Sequence, residues 1–469
     1  RSAFDLPAGQ RELRLTGGYG RADLGDRPLY DLAGSYMQRL GGDKLALSVN
    51  GTYRDTKQIS HNNESRWGEE TALDGTTIPF ALQETQFYRY NNERKGLGLE
   101  FRPSEGSRYF LRGMFNKRDD YQNRQGDRFR VDRGDYLSPT QVSGARIVRA
   151  IKSHPTRNAA PNSAEAKTSH AGWPTIDLLQ MNKQDQDRTE TQYITDFSAG
   201  GTQRLGPWSL DLTAAYTYGE QNKDRGQILP EFQLNSDVDL NLDLSDPEEP
   251  GFQVMNQDLG YLNDPANYEL DGLDFRYQKT TDQEKIGAIN LGRSFALGTH
   301  AGGVRFGGKL RQKSKDRHDQ RWSYDWAGDE SVLMAQFASG DTEEPFFGGR
   351  YNFFPPTVDE AKVRDFLNAN RGTNLEEETR VEDTFGAAYD AGEDIYSGYA
   401  MGSLNFGRLL VLAGVRDEYT RTDYQGTRLN EVDDGFEIQP VEDARSYNFV
   451  FPALHLRFAA DDRTNLRFA

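Results

Sequence analysis

The residues to weigh first for metal or acid–base chemistry are six histidines: His61, His154, His170, His300, His318 and His455. None stands four residues from another, the spacing at which two imidazoles on a helix share a zinc ion. Scattered this way, they read as loop or lining residues rather than metal ligands. Cysteine is absent, which removes disulfides, iron–sulfur clusters and thiolate zinc sites together. Serines and carboxylates are plentiful, yet no strand–turn–helix nucleophile motif surrounds any of them. The densest acidic run holds Asp237, Asp239, Asp243, Asp246, Glu248 and Glu249. Oxygens of that kind hold Ca²⁺, so Asp237, Asp239 and Asp243 form a weak calcium candidate, without the spacing of an EF-hand loop. Their alternation with Val238, Leu240, Leu242 and Leu244 reads more simply as a strand. No enzyme and no cofactor are expected.

Binding chemistry is better represented. Trp322, Tyr324 and Trp326 put three aromatic rings at alternate positions, able to stack on sugar rings or on an aromatic ligand. The plainer reading, a girdle or the packing of a loop onto itself, is preferred. Downstream, Pro355-Pro356 is a helix-entry signal. The stretch from Val358 to Leu367 then reads as a short helix with Val363, Phe366 and Leu367 on one side.

The elements that must position these residues are strands. Only 35% of the 469 residues are apolar, mean hydropathy is −0.82, and 12% are aromatic. The polarity would suit a disordered chain and the aromatics argue against one. A membrane barrel reconciles the two, with one thin apolar face toward lipid and a polar lumen. The net charge of −17 argues against nucleic acid. No apolar run reaches the ~20 residues of a spanning helix. Instead, segments of about ten residues alternate apolar and polar. Leu45, Leu47, Val49, Gly51 and Tyr53 oppose Ala46, Ser48, Asn50, Thr52 and Arg54. Trp208, Leu210, Leu212, Ala214, Tyr216 and Tyr218 oppose Ser209, Asp211, Thr213 and Thr217. Val304, Phe306, Gly308 and Leu310 oppose Arg305, Gly307, Lys309 and Arg311. Between Lys285 and Ala296 the alternation is disturbed by Arg293 on the apolar phase, which predicts a bulge or phase slip. Aromatics mark both ends of several apolar faces, as girdles ~25 Å apart would.

Apart from one shorter member near Ala22–Pro28, connections alternate strictly between tight turns, such as Leu205-Gly206-Pro207 and Gly407-Arg408, and long segments near 56–87, 120–188, 222–282, 323–392 and 423–445. Turns on one side and long loops on the other are the periplasmic and extracellular ends of an outer-membrane barrel. The predicted fold is all-β: a transmembrane antiparallel β-barrel with long extracellular loops, located in the cell outer membrane of a Gram-negative bacterium. About thirteen strands are legible, an odd number, and single-chain barrels close with an even one. Further strands are therefore expected in the full protein. Polar lumen positions are supplied by Arg112, Asn116, Asp211, Arg305, Lys309 and Arg311. With the three aromatics, Arg305, Arg311 and Asn116 are the ligand-binding candidates.

Several stretches resemble one family. The opening Arg1-Ser2-Ala3-Phe4-Asp5-Leu6 looks like the exit from a plug domain into a first strand. Further matches are Tyr399-Ala400-Met401-Gly402 with Leu404-Asn405-Phe406-Gly407, and Leu412-Ala413-Gly414-Val415-Arg416-Asp417-Glu418-Tyr419-Thr420. Phe451-Pro452-Ala453-Leu454-His455-Leu456-Arg457-Phe458, Thr464-Asn465-Leu466-Arg467 and the acidic Asp243-Leu244-Ser245-Asp246-Pro247 complete the set. Together they resemble the TonB-dependent outer-membrane receptors, in the subgroup common in carbohydrate-scavenging Gram-negative bacteria. The resemblance implies residues 1–10 as the exit from a missing plug domain and 11–469 as a partial barrel, truncated at the C-terminal end, from a full set of about 22 strands. It implies energised uptake of a scarce nutrient, an oligosaccharide or a metal chelate such as a siderophore. The partners implied are the TonB–ExbB–ExbD complex, acting through the plug, the small-molecule or oligosaccharide ligand, and outer-membrane lipid. The alternative is a passive, substrate-selective porin.

Overall fold

The computed structural model describes residues 4, 6–23, 26–71, 77–104, 106–130, 135–137, 175–223, 226–243, 251–254, 259–339, 357–433, 435–461 and 463–469. Side chains are described outside 57–96, 130, 135–137, 175–180, 184–185, 240–243, 251–254 and 259.

One antiparallel meander carries the fold. Its strands are β1 (Arg11–Arg21), β2 (Pro28–Leu40), β3 (Leu45–Thr71), β4 (Thr77–Ser104), β5 (Ser107–Arg130), β7 (Thr175–Leu205), β8 (Trp208–Asn222), β12 (Tyr268–Leu297), β13 (His300–Trp326), β15 (Tyr389–Phe406), β16 (Leu409–Val432), β17 (Gly435–Ala459) and β18 (Asn465–Phe468). Each pairs with the next in this list. These are the thirteen runs that the alternation marks. Shorter strands join at one end only: β6 (Asp135–Leu137), β9 (Gln227–Leu234), β10 (Val238–Asp243), β11 (Gly251–Val254) and β14 (Leu375–Thr379).

The tight turns form where the backbone can take a left-handed conformation. Gly206 (φ 59°) closes Leu205↔Trp208 and Gly407 (φ 69°) closes Phe406↔Leu409. Two-residue hairpin loops need positive φ to match the strand twist, and glycine adopts it without a Cβ clash.

Register keeps the two faces separate over long distances. From Leu273↔Tyr324 to Leu297↔His300, β12 and β13 pair without a shift. The expected slip around Arg293 is therefore corrected: Arg293 stays on the apolar phase, opposite Val304 on one side and Trp208 on the other. Its guanidinium lies 5.1 Å from the Trp208 ring centroid. A cation there is tolerated because it stacks on the girdle aromatic next to a turn, where the charge can reach the interface.

The long connections also differ from expectation. Two of them are strand over most of their length: β3 continues to Thr71 and β4 begins at Thr77, while β16 and β17 zip up to Val432↔Gly435. Along β16 and β17 above Asp423 the side chains of both faces are mostly exposed, so the hydrophobic signal fades while the hydrogen-bond ladder continues. Where β8 stops at Asn222, β9 takes its place between β7 and β12, pairing Gln227 with Arg188 and with Arg276. The wall is thus continued above the membrane by a second piece of chain.

Leu212 lies opposite Ile289 and Gly201, and both Leu212 and Ile289 are exposed on the apolar phase, whereas Thr213 lies on the other. Changing Leu212 to Arg should cost ~2–4 kcal/mol near the midplane and Thr213 to Arg far less. Folding titrations into vesicles read both values; equal penalties would contradict the face assignment.

Candidate functional site

The inward phase is built from ion pairs across strands. On β13, Arg305, Lys309, Arg311, Lys313, Lys315, Arg317 and Arg321 all fall on it. Most meet a carboxylate: Arg305 with Asp211 at 2.6 Å, Arg311 with Glu284 at 3.0 Å and Lys313 with Asp282 at 3.3 Å. Higher up, Arg276 grips Asp319 with two bonds of 2.9 and 2.6 Å, and Arg317 joins at 3.2 Å. Arg321 bridges Asp274 at 2.5 Å and Asp383 at 3.0 Å. Arg112 and Arg108 share Glu100 at 3.2 and 2.7 Å. Pairing of this kind holds long side chains in fixed directions and leaves spare donors and acceptors toward the lumen.

The N-terminal segment packs on the same face. Phe4 and Leu6 are buried with Met37 and Ala46, both inward residues beside a tight turn. Arg102 lies 4.0 Å over the Phe4 ring, and Arg39 donates to the Leu6 carbonyl at 2.8 Å.

Above the membrane this phase closes around a cavity of about 350 Å³. Its polar wall comes from five strands: Arg124 and Arg128 of β5, Gln186 of β7, Glu231 of β9, Asp274 of β12 and Arg321 of β13. Guanidinium, carboxylate and amide groups in one concave space can hydrogen-bond a ligand rich in both donors and acceptors. Sequence reasoning missed these residues because all but Arg321 lie in segments read as loops. The alternation of Ile228, Pro230, Phe232 and Leu234, all buried, was the available signal.

The other phase changes cover at the same height. Since β12 and β13 hold one register, Leu273 and Tyr324 share the face of Ile289 and Leu310. There the cover is not lipid but α2 (Glu360–Asn370) and the 3₁₀ turn Met334–Gln336. Val363 and Leu367 of α2 are buried in one cluster with Tyr324, Leu273, Met334 and Phe337. The helix begins where its cap dictates: Asp359 accepts from the amides of Ala361 and Lys362. Gln125 reads the backbone of Val358 in both directions, donating at 3.1 Å and accepting at 3.0 Å. Arg364 meets Asp187 at 2.6 Å. Glu360 receives the Tyr121 hydroxyl at 2.5 Å and the Asn123 amide. Burial pushes the Glu360 carboxyl above the usual carboxylate range, a shift these two hydrogen bonds only partly offset.

The three candidate aromatics belong to this cap. Tyr324 is completely buried and its hydroxyl donates to Glu377 at 2.9 Å; burial first, then that bond, raises its pKa. Trp326 packs on Phe366 at 5.4 Å and donates to the Glu330 carbonyl at 2.7 Å. Trp322 stacks on Phe275 at 5.9 Å, with Arg371 on its ring at 5.2 Å. Arg305 and Arg311 lie in the ion-pair ladder, and Asn116 lies on the inward phase between Arg94 and Ile194. The structure does not bring these six together. In the calcium candidate, Asp239 is buried at the start of β10, and the Asp243 side chain lies outside the described residues. Among the described residues no three carboxylates or histidines converge as a metal site would need.

Residues 360–469 match the model of the outer membrane protein beta-barrel family. No curated protein matches the chain. The long antiparallel strands, the girdled apolar face and this similarity together define the class: a transmembrane β-barrel wall, which implies an outer-membrane location.

The raised Glu360 pKa fixes a pH dependence. Folding favours its protonated form, so that contribution is complete below the unfolded pKa of ~4.3 and is lost as pH rises through the folded value. Hydrogen-exchange protection of α2, corrected for intrinsic rates, should fall from about pH 4 to pH 7, and Glu360→Gln should flatten the trend. Protection rising over that range would contradict the burial argument.

Proposed function

We propose that the chain forms the wall of an energised outer-membrane receptor that takes up a scarce nutrient, an oligosaccharide or a metal chelate such as a siderophore. The TonB–ExbB–ExbD complex would act on it through a plug held in the lumen, and no reaction on the ligand is catalysed. The observation that carries this reading is the docking of Phe4 and Leu6 on the inward face. A chain that enters its first strand from the lumen side suits a barrel filled by its own plug better than an open channel. The walled polar cavity above the membrane supports recognition before passage. Sequence resemblance to TonB-dependent receptors points the same way.

The test is transport in the native cell. Accumulation of the nutrient should stop when the proton gradient is collapsed or TonB is removed, and the purified protein should give no steady open-channel conductance in planar bilayers. Persistent conductance steps with TonB-independent entry would replace this reading with a passive porin. Arg321→Ala removes the partner of Asp274 and Asp383 at the cavity and should weaken ligand binding measured on whole cells while surface expression is kept. Cysteines placed at the exposed Thr373 should be labelled by an impermeant reagent on intact cells, and those at Thr299 only after the outer membrane is opened.

A further inference from the structure

The cavity above the membrane carries opposite charges on its two sides. Within the ion-pair ladder Arg321 meets Asp274 and Asp383, and just below them Arg276 and Arg317 share Asp319, so cations and carboxylates cancel there. The remaining charges do not mix. Arg124 and Arg128 stand on β5, and Arg188, one row lower on β7, extends that side. Glu231 of β9, Asp271 of β12 and Asp325 of β13 make the facing side. Among the described residues Arg124, Asp271 and Asp325 enter no ion pair. Arg124 is half-buried and the two carboxylates are exposed. A bulge re-aims Asp271: Leu270 and Gly272 pair with the consecutive residues Phe232 and Glu231, which leaves Asp271 as the extra residue.

The separation is too long for a small zwitterion. From β5 through β7 and β9 to β12 the strands pair in sequence, and three spacings of ~4.8 Å make about 14 Å along the sheet. A free amino acid holds its ammonium and carboxylate within a single residue. An extended peptide covers that distance, less the reach of the side chains, with about three or four residues at ~3.4 Å each. Between its charged ends a peptide brings a donor and an acceptor at every residue. Gln186 lines the cavity between the two sides, and so do Ser323 Oγ and Arg321 Nε, both buried without a hydrogen-bond partner.

We propose that the cavity selects a short peptide with free termini, its carboxylate at Arg124 and its ammonium at Asp271 and Asp325. The inference rests on the reading of this cavity as the recognition site of an uptake receptor, and it gives the nutrient a charge pattern that a neutral glycan lacks.

The protein purified from outer membranes would be titrated by calorimetry with di-, tri-, tetra- and penta-alanine, with tetra-alanine acetylated at its N-terminus or amidated at its C-terminus, and with maltotetraose. Free tri- or tetra-alanine should bind most tightly, and blocking either end should weaken binding roughly tenfold. Arg124→Gln should abolish the penalty for amidation and keep that for acetylation. Asp271→Asn with Asp325→Asn should do the reverse, each variant in a barrel that still migrates as heat-modifiable. The proposal is overturned by equal affinity for free and blocked peptides, by di-alanine binding best, or by penalties that the variants leave unmoved. Binding of maltotetraose but of no peptide also overturns it, and leaves the receptor reading intact. Peptide selectivity in a protein that proves to be an open, TonB-independent channel would support the cavity's specificity and remove the receptor reading instead.

Discussion

A backbone amide in hydrocarbon has no water to bond, and each one left unpaired costs several kcal/mol. Nearly every other feature depends on that constraint. It forces the crossing segments into paired strands, and the shift-free registers of β5 with β7 and of β12 with β13 satisfy the ladder without interruption. Above the band, β9 takes the place of β8 between β7 and β12 and keeps the ladder going. Just past the end of β8, burial and the neighbouring Arg276 and Arg188 lower the pKa of Lys223, and its amide is held by the Gln278 carbonyl at 2.9 Å. Irregular backbone occurs above the band, where partners can be found.

Uninterrupted register has a second effect, because side-chain phase is preserved as far as the ladder runs. The face that meets lipid at Leu310 is therefore the face that meets α2 at Tyr324. The same alternating pattern is stabilised by two different surroundings, acyl chains below and the protein's own loop above. The inward phase likewise runs from the Arg305–Asp211 pair up to the cavity around Arg321. The polar lumen and the polar cavity above it are lined by one phase of the strands, read at every second residue.

This continuity also decides what was legible in the sequence. The thirteen wall strands stand out because lipid and lumen impose opposite chemistry on neighbouring residues, as in Trp208 to Tyr218. Above the band that contrast vanishes, so β3 beyond Thr56 and β16 beyond Asp423 read as loop although they are strand. The helix near 358–367 was legible from its proline entry and apolar spacing, and Asp359 sets its start. The cavity was not, because Arg124, Gln186, Glu231, Asp274 and Arg321 come from five strands whose adjacency is a matter of pairing, not spacing. Arg293 misled for a related reason: the phase rule takes no account of an aromatic neighbour across the strand, and Trp208 lies 85 positions away in sequence (293 − 208).

The ribbon formed by β16 and β17 reaches far beyond the bilayer. Each strand is 24 or 25 residues long, and about ten suffice to cross the hydrocarbon. At ~3.4 Å per residue the remainder extends roughly 50 Å outward along the strand. Such a blade stands clear of the lipid headgroups, stiffened by its own hydrogen bonds and rich in charged side chains. A phage tail fibre or an antibody would grip such a blade without approaching the membrane, so substitutions there would change what the cell shows to its surroundings while leaving the crossing strands untouched.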